Sequence, residues 1–312
     1  ADNIYGVIHR VLEIYEENRY LALSRGFIVI KHEDETLGEV PLDDIGVLLL
    51  SAQSVVLSKN ILNALTERGC ITILCGKNYA PQSMVLPIAS HYLFAKIIKN
   101  QIEASVPLKK RIWQQIVIRK IKNQAQVLHL DGKEENAKLV DKISSLVKSG
   151  DPDNREAYAA KVYWKALFGK DFLRDKNEEG INSLLNYGYA VMRAAMARAV
   201  CSAGLFPSLG IHHDNNLNQF CLVDDLFEIY RPLVDFTVAK LQKEGNEILT
   251  PEIKKRLADV LWIKLHTTEG NSPAFQSMQY MANAYARALE NKKPDIELPL
   301  WDGDENARFD FE

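Results

Sequence analysis

Within Gly210–Pro232, GIHHDNNLNQFCLVDDLFEIYRP, the chain places two adjacent histidines, four amide side chains and four carboxylates in 23 residues. His, Asp and Glu gathered in this way suit a metal ion or acid/base chemistry. Asp225 and Glu228 lie three residues apart, and Asp224 and Glu228 four apart. On a helix either spacing puts two carboxylates on one face. The same acids also suit the first turn of a helix, where they favour its dipole and where Asp224 or Asp225 could act as a cap. The neighbours argue for more. Leu222, Val223, Leu226, Phe227 and Tyr230 make the segment apolar, and carboxylates turned into such surroundings are costly unless a cation meets them. His212 and His213 precede the acids across an amide-rich turn of Asn215, Asn216, Asn218 and Gln219. Adjacent side chains point in different directions, so only one of the two histidines can join the acids. Either also reads as an ordinary hydrogen-bonded histidine.

Asp151–Phe168, DPDNREAYAAKVYWKALF, supplies another carboxylate. If Asp153 or Asn154 caps a helix here, Glu156 falls near its third position, where a glutamate can simply complete a capping box. Glu156 also shares a helical face with Ala159, Ala160 and Tyr163, which is small and apolar and therefore turned inward. An inward Glu on one helix, with an inward His and Glu on another, makes a mixed nitrogen and oxygen set. That set suits Mg²⁺ or Mn²⁺ better than a structural zinc, and such ions assist phosphodiester chemistry. In Asn182–Arg198, Tyr187 and Tyr189 read as core packing or as aromatic groups beside a nucleic-acid end. Gly188 between them costs about 1 kcal/mol against Ala in mid-helix, which implies a second helix packed close.

The elements that hold these residues differ between the two ends of the chain. Arg10–Tyr15, Arg19–Ser24, Gly26–His32, residues 45–50, Ser54–Leu57 and Ile71–Cys75 read as strands, with a helix from Ser58 through Arg68 and a turn at Gly76–Pro81. They predict a small antiparallel sheet with one crossover helix. Beyond Pro87 the apolar period becomes helical, in Tyr92–Val106, Lys109–Leu128, Glu134–Lys148, Asp153–Phe168, Asn177–Ala203, Leu226–Glu244, Glu252–Leu265 and Ser272–Asn291. No strand pattern is expected there. The expectation is an α+β protein: an N-terminal β domain over 1–86, an all-α domain over 87–300 joined through a hinge at 83–91, and a mobile acidic tail over 301–312.

The 312 residues are 47% hydrophobic and 25% charged, as in a globular protein with ample core. No apolar run spans a membrane, and ADNIYGVIHR lacks a signal-peptide pattern. The scattered Cys70, Cys75, Cys201 and Cys221 read as reduced thiols of a cytosolic protein. The net charge of −3 hides asymmetry, because the last eleven residues hold five acids and one arginine, leaving the remainder at +1. Lys96–Lys122 carries eight Lys or Arg against Glu103 alone. Lys109, Lys110 and Arg111 sit at a predicted helix start, the unfavourable end for cations. They, with Arg119 and Lys122, are candidate phosphate contacts, or else a solvated charged face.

The order of these motifs resembles the CRISPR-associated integrase family, the Cas one proteins. The family's E-x-x-A/S-A-x-x-Y-[FW] helix is matched by Glu156, Ala159, Ala160, Tyr163 and Trp164, and its L-N-Y-G-Y helix by Leu185–Tyr189. Its G-[FIL]-x-H turn is matched by Gly210–His213 and its D-[LI]-[MF]-E-x-[FY]-R-P helix by Asp225–Pro232. PLDDIGVLLL is similar to its P-L-x-D-I-x-x-L-[LV]-L strand, and HHDNNLNQF to the branch in type II systems. Phe227 stands where Met is commoner, and Tyr158 where a small or polar residue is usual. The resemblance implies Glu156, His213 and Glu228 as catalytic residues and ligands of Mg²⁺ or Mn²⁺, with Asp225 in support and Tyr187 near the DNA end. His212 is the variable position of the turn.

The resemblance further implies a homodimer paired through its β domains and bridged by a Cas two partner protein. Double-stranded DNA, protospacer and CRISPR repeat, would be its substrate, and other type II CRISPR proteins could join. The reaction implied is integration, by attack of a DNA 3′-hydroxyl on a repeat-boundary phosphodiester. A metal-dependent nuclease without joining activity, or an inactive DNA-binding scaffold, would draw on the same residues.

Overall fold

The computed structural model describes residues 10–76, 81–86, 93–175, 179–268 and 270–303. The chain divides into two compact units, Ala1–Tyr92 and Leu93–Glu312. The expected hinge at 83–91 lies largely outside the described residues, as does the acidic tail beyond residue 303.

The first unit runs β1 (Arg10–Ile14), β2 (Arg19–Ser24), β3 (Phe27–His32), β4 (Glu35–Pro41), β5 (Ile45–Leu50), β6 (Val55–Leu57), α1 (Lys59–Glu67), β7 (Ile71–Cys75) and β8 (Pro81–Val85). It holds two mixed four-stranded sheets, ordered β1-β5-β7-β8 and β4-β3-β2-β6, where a single antiparallel sheet was expected. In the first sheet β1, β5 and β7 are parallel and β8 is antiparallel. In the second, β6 runs parallel to β2 beside an antiparallel β2–β3–β4 meander. β5 is buried along its whole length, as its unbroken apolar run requires of a central parallel strand. Ile14, Leu21, Ile28, Ile45, Leu48, Ile61 and Leu65 share one core, which draws on both sheets and α1. The strands missed by pattern reading, β4 and β8, are the polar ETLGEVP and PQSMV at sheet edges. An edge strand has little apolar alternation to display.

The second unit is helical: α2 (Phe94–Ile102), α3 (Val106–Leu130), α4 (Glu134–Ser144), α5 (Arg155–Phe168), α6 (Ile181–Ser202), α7 (Cys221–Phe227), α8 (Arg231–Lys243), α9 (Pro251–Ala258) and α10 (Ala274–Asn291). α3 starts at Ser105, whose hydroxyl accepts from the Leu108 N–H at 3.4 Å. It packs on α4, α5 and α8. α6 is buried along most of its length and packs on α7, α8, α9 and α10. A Cβ added at Gly188 would come within 2.5 Å of Val234 Cγ1, so α6 and α8 approach closely there.

Three expectations are corrected in this unit. The helix predicted over Glu252–Leu265 stops at Ala258, passes through a 3-10 turn at Asp259–Trp262 and gives way to a strand. That strand, β9 (Lys264–Thr267), pairs antiparallel with β10 (Gly270–Pro273), a hairpin where no strand was expected. Trp301, placed in the mobile tail by the sequence, is 3% exposed and lies edge-on to Phe236 at 5.4 Å. The four cysteines are thiols, and Cys70, Cys201 and Cys221 are buried. Among the described residues no helix is long and apolar enough to cross a membrane.

Candidate functional site

Asp225 organises the histidine turn. Its side chain is fully buried on α7. Its Oδ2 accepts the backbone N–H groups of Ile211 and His212 at 2.6 and 2.9 Å, and its Oδ1 that of His213 at 3.3 Å. Oδ1 also meets His213 Nδ1 at 2.5 Å. Gly210 makes this wrap possible, because a Cβ there would stand 2.2 Å from the His213 carbonyl oxygen. The hydrogen bond to Asp225 raises the His213 pKa above its ordinary value against the opposing effect of burial, and the charges of Asp225, Glu228 and Glu156 add to it. His212 instead stacks flat on the buried Trp113, rings 4.5 Å apart, while His213 meets the same indole edge-on. Two of the turn's amides, Asn215 and Asn218, brace it. Asn215 and Asn218 accept from the N–H groups two residues on, at 2.9 and 3.0 Å. Asn218 also donates to Asp224 at 2.8 Å, and Asp224 takes a two-pronged pair from Arg193 of α6 at 2.6 and 2.8 Å. Asp224 therefore ties the turn to α6.

Glu156 and Glu228 converge on one cation of the protein itself. Lys120 Nζ of α3 lies 2.5 Å from Glu156 Oε1 and 2.6 Å from Glu228 Oε2. Glu156 stands in the first turn of α5, capped by neither Asp153 nor Asn154 but by Asp151, whose oxygens accept the Arg155 and Glu156 N–H groups at 2.9 Å. Glu228 stands in a 3-10 step, Glu228–Tyr230, between α7 and α8. Asn123 of α3 donates to the Ile229 carbonyl at 2.8 Å and holds that step in place. Arg231 Nε donates to Glu228 Oε1 at 3.0 Å. Burial alone would raise the Glu228 carboxyl, but Arg231 and Lys120 outweigh it and bring it down to about 2. Burial likewise works against the Lys120 charge, yet Glu228 and Glu156 hold its pKa above that of an ordinary lysine.

The sequence profile of the family described as CRISPR associated protein Cas1 matches residues 12–252. The chain is 37% identical over 282 residues to the CRISPR-associated endonuclease Cas1 of Neisseria meningitidis, covering 89% of this chain and 92% of that one. The chain belongs to the Cas1 family. Its fold is also that of a casposase solved bound to integration product, at a TM-score of 0.76 and 21% identity, covering 97% of this chain and 96% of that one. A Cas6-RT-Cas1–Cas2 complex contains a chain of the same fold, at a TM-score of 0.74 and 16% identity, covering 95% of this chain and 36% of that one.

Among the described residues of this Cas1 family member, no three His, Cys, Asp or Glu side chains are already spaced around a metal position. The donor set nonetheless fits a divalent cation. Glu156 Oε1 and Glu228 Oε2 already face one cationic position, taken by the Lys120 ammonium at 2.5 and 2.6 Å. Asp225 occupies His213 Nδ1 and leaves Nε2 as the ring's ligating nitrogen. Two carboxylates and an imidazole are ligands of Mg²⁺ or Mn²⁺ type.

The remaining expected residues scatter. Tyr187 is buried facing α9, with the Lys254 ammonium 5.6 Å from its ring. Tyr189 of the same motif donates to Asp235 and lies 4.9 Å from the Arg231 guanidinium. Tyr163 donates to the same Asp235 at 2.9 Å, and burial pushes that carboxyl up to about 7. Lys109 donates to the Gly210 carbonyl at 3.1 Å and so supports the histidine turn. Lys110, Arg111 and Lys122 are exposed, and Arg119 is half-buried, its pKa lowered by burial. Lys120, Arg231 and Asp235 were not among the site residues expected from the sequence. For Lys120 a signal existed: it continues the buried stripe of Ile112, Trp113 and Ile116, and a lysine on such a stripe implies a buried acidic partner.

Proposed function

We propose that the chain integrates DNA: a 3′-hydroxyl of a protospacer strand attacks a phosphodiester at a CRISPR repeat boundary and displaces the 3′-oxygen of the cut target strand, which leaves as a 3′-hydroxyl, with Mg²⁺ or Mn²⁺ held by Glu156, His213 and Glu228. The observation that carries this reading is the convergence of Glu156 and Glu228 on one cationic position beside a histidine fixed by Asp225. The bound ion would polarise the phosphate and lower the pKa of the attacking hydroxyl. Glu228 is ionised far below neutral pH and so is ready as a ligand without losing a proton. Asp225 fixes the tautomer and direction of His213. Arg231 holds Glu228 Oε1, which leaves Oε2 for the cation. The nucleophile belongs to the DNA, so no protein side chain need become covalently attached. Lys110, Arg111 and Lys122 supply phosphate contacts that position DNA without reading sequence.

The working assembly in this reading is a homodimer bridged by a Cas two partner. The solved Cas6-RT-Cas1–Cas2 complex, which has a chain of the same fold, supports the Cas two partner, and the casposase bound to integration product supports a DNA substrate. A strand-transfer assay with a 3′-hydroxyl donor duplex and a supercoiled target tests the activity. Donor–target joining in Mn²⁺ is expected, reduced at least about a hundredfold by Glu156→Gln or Glu228→Gln. Target cleavage without joining would replace integrase by nuclease. DNA binding with neither product would leave a scaffold.

A further inference from the structure

The Lys120 ammonium lies between the two glutamates proposed as metal ligands. It reaches from α3 to Glu156 at the start of α5 and to Glu228 in the step before α8, and so ties three elements together through one charge. Its side chain is only 11% exposed. Two carboxylates brought this close repel unless a cation or a proton lies between them. Arg231 engages the far oxygen of Glu228 and does not reach Glu156 in any contact among the described residues. Lys120 is therefore the group that reconciles the pair in the metal-free protein. A divalent ion binds carboxylate oxygens at about 2.0–2.2 Å in this class of site. Nζ already stands within 2.6 Å of both oxygens, so an ion bound at those same oxygens would compete with it for their lone pairs. The lysine head sits on four flexible methylenes and can swing away while its helix stays in place.

We propose that Lys120 is a tethered counter-cation that holds Glu156 and Glu228 together before metal binds and is displaced from both when a divalent ion enters. It is thus a positioning residue with two states. It keeps the site assembled without metal and lowers apparent metal affinity by the fraction of molecules in which it occupies the pair. The inference rests on the ligand assignment proposed above.

The test is Mn²⁺ binding to the full chain, followed by calorimetry and by the electron paramagnetic resonance of free Mn²⁺, together with thermal melting with and without the ion. Lys120→Met is expected to bind Mn²⁺ about tenfold more tightly than the wild type, as removal of a competitor occupying the pair about 90% of the time requires. Its metal-free melting temperature should fall, and Mn²⁺ should raise it by more than in the wild type. Lys120→Gln keeps amide donors toward both carboxylates and serves if the Met variant does not fold without metal; its affinity should also rise. Equal or weaker Mn²⁺ binding by both variants, with wild-type binding lost in Glu156→Gln, would overturn the role of Lys120 and leave the ligand assignment standing. Wild-type Mn²⁺ binding that is absent, or indifferent to Glu156→Gln, would overturn the ligand assignment and this proposal with it.

Discussion

Asp225 shows how one buried carboxylate can set the geometry of a whole turn. It accepts three consecutive backbone N–H groups and the His213 ring, so the direction of His213 follows from Asp225 rather than from the turn's own conformational preference. Asp225→Asn keeps the shape and removes one acceptor oxygen, leaving one or more of these donors unmet at a cost of about 1–3 kcal/mol. Donor–target joining should fall about 10–100-fold, in line with the loss of other groups that orient a ligand, and Mn²⁺ affinity should fall with it. Asp224→Asn is the control, because Asp224 pairs with Arg193 and Asn218 on the other side of the turn. Comparable losses from the two substitutions, read in joining rate and melting temperature, would show that Asp225 only stabilises the turn.

At the scale of elements, the site depends on the approach of α6 to α8. Tyr163 of α5 and Tyr189 of α6 both donate to Asp235 of α8, and Arg231 at the start of α8 reaches back to Glu228. Gly188 lets the two helices come close, and the space its missing Cβ would need is taken by Val234. Gly188→Ala should therefore destabilise the fold by about 1–3 kcal/mol through overpacking, despite the better helix propensity of alanine. Adding Val234→Ala should recover part of that loss. A double-mutant cycle on thermal stability measures the coupling. Strictly additive effects would mean that the helices adjust freely and that the close approach is not required.

For the molecule as a whole, the total charge of −3 is a poor guide to its affinity for a polyanion. α3 divides its basic residues by direction: Lys120 turns inward to the carboxylates, Lys109 to the Gly210 carbonyl, and Lys110, Arg111 and Lys122 outward to solvent. Arg111 and Lys122 are three turns apart on one face, about 16 Å along the axis. Replacing Lys110, Arg111 and Lys122 by alanine should weaken duplex binding irrespective of sequence. It should also reduce the slope of log affinity against log salt by about one for each phosphate no longer neutralised, with Mn²⁺ binding unchanged. Binding measured by fluorescence anisotropy across a salt series decides it, and an unchanged slope would make this face merely solvated.

Much of the architecture was legible in the one-dimensional pattern. The 3.6-residue period marked most helices because each helix satisfies its own backbone bonds and shows its buried face locally. Glu156 and Glu228 stood out as carboxylates on apolar stretches for the same reason. Family resemblance, rather than spacing, singled out His213 from its neighbour, and the structure shows the two rings in different surroundings, one stacked on Trp113 and the other bonded to Asp225. What the pattern could not reveal was pairing between distant segments. The parallel strands β1, β5 and β7, and the backbone bonds that tie His266 of β9 to Leu300, depend on partners far along the chain that no local period encodes. The same is true of the cation between the glutamates. Lys120 lies 36 residues before Glu156, and only the packing of α3 against α5 and α8 turns that lysine from one more charge on a basic helix into the counter-ion of the site.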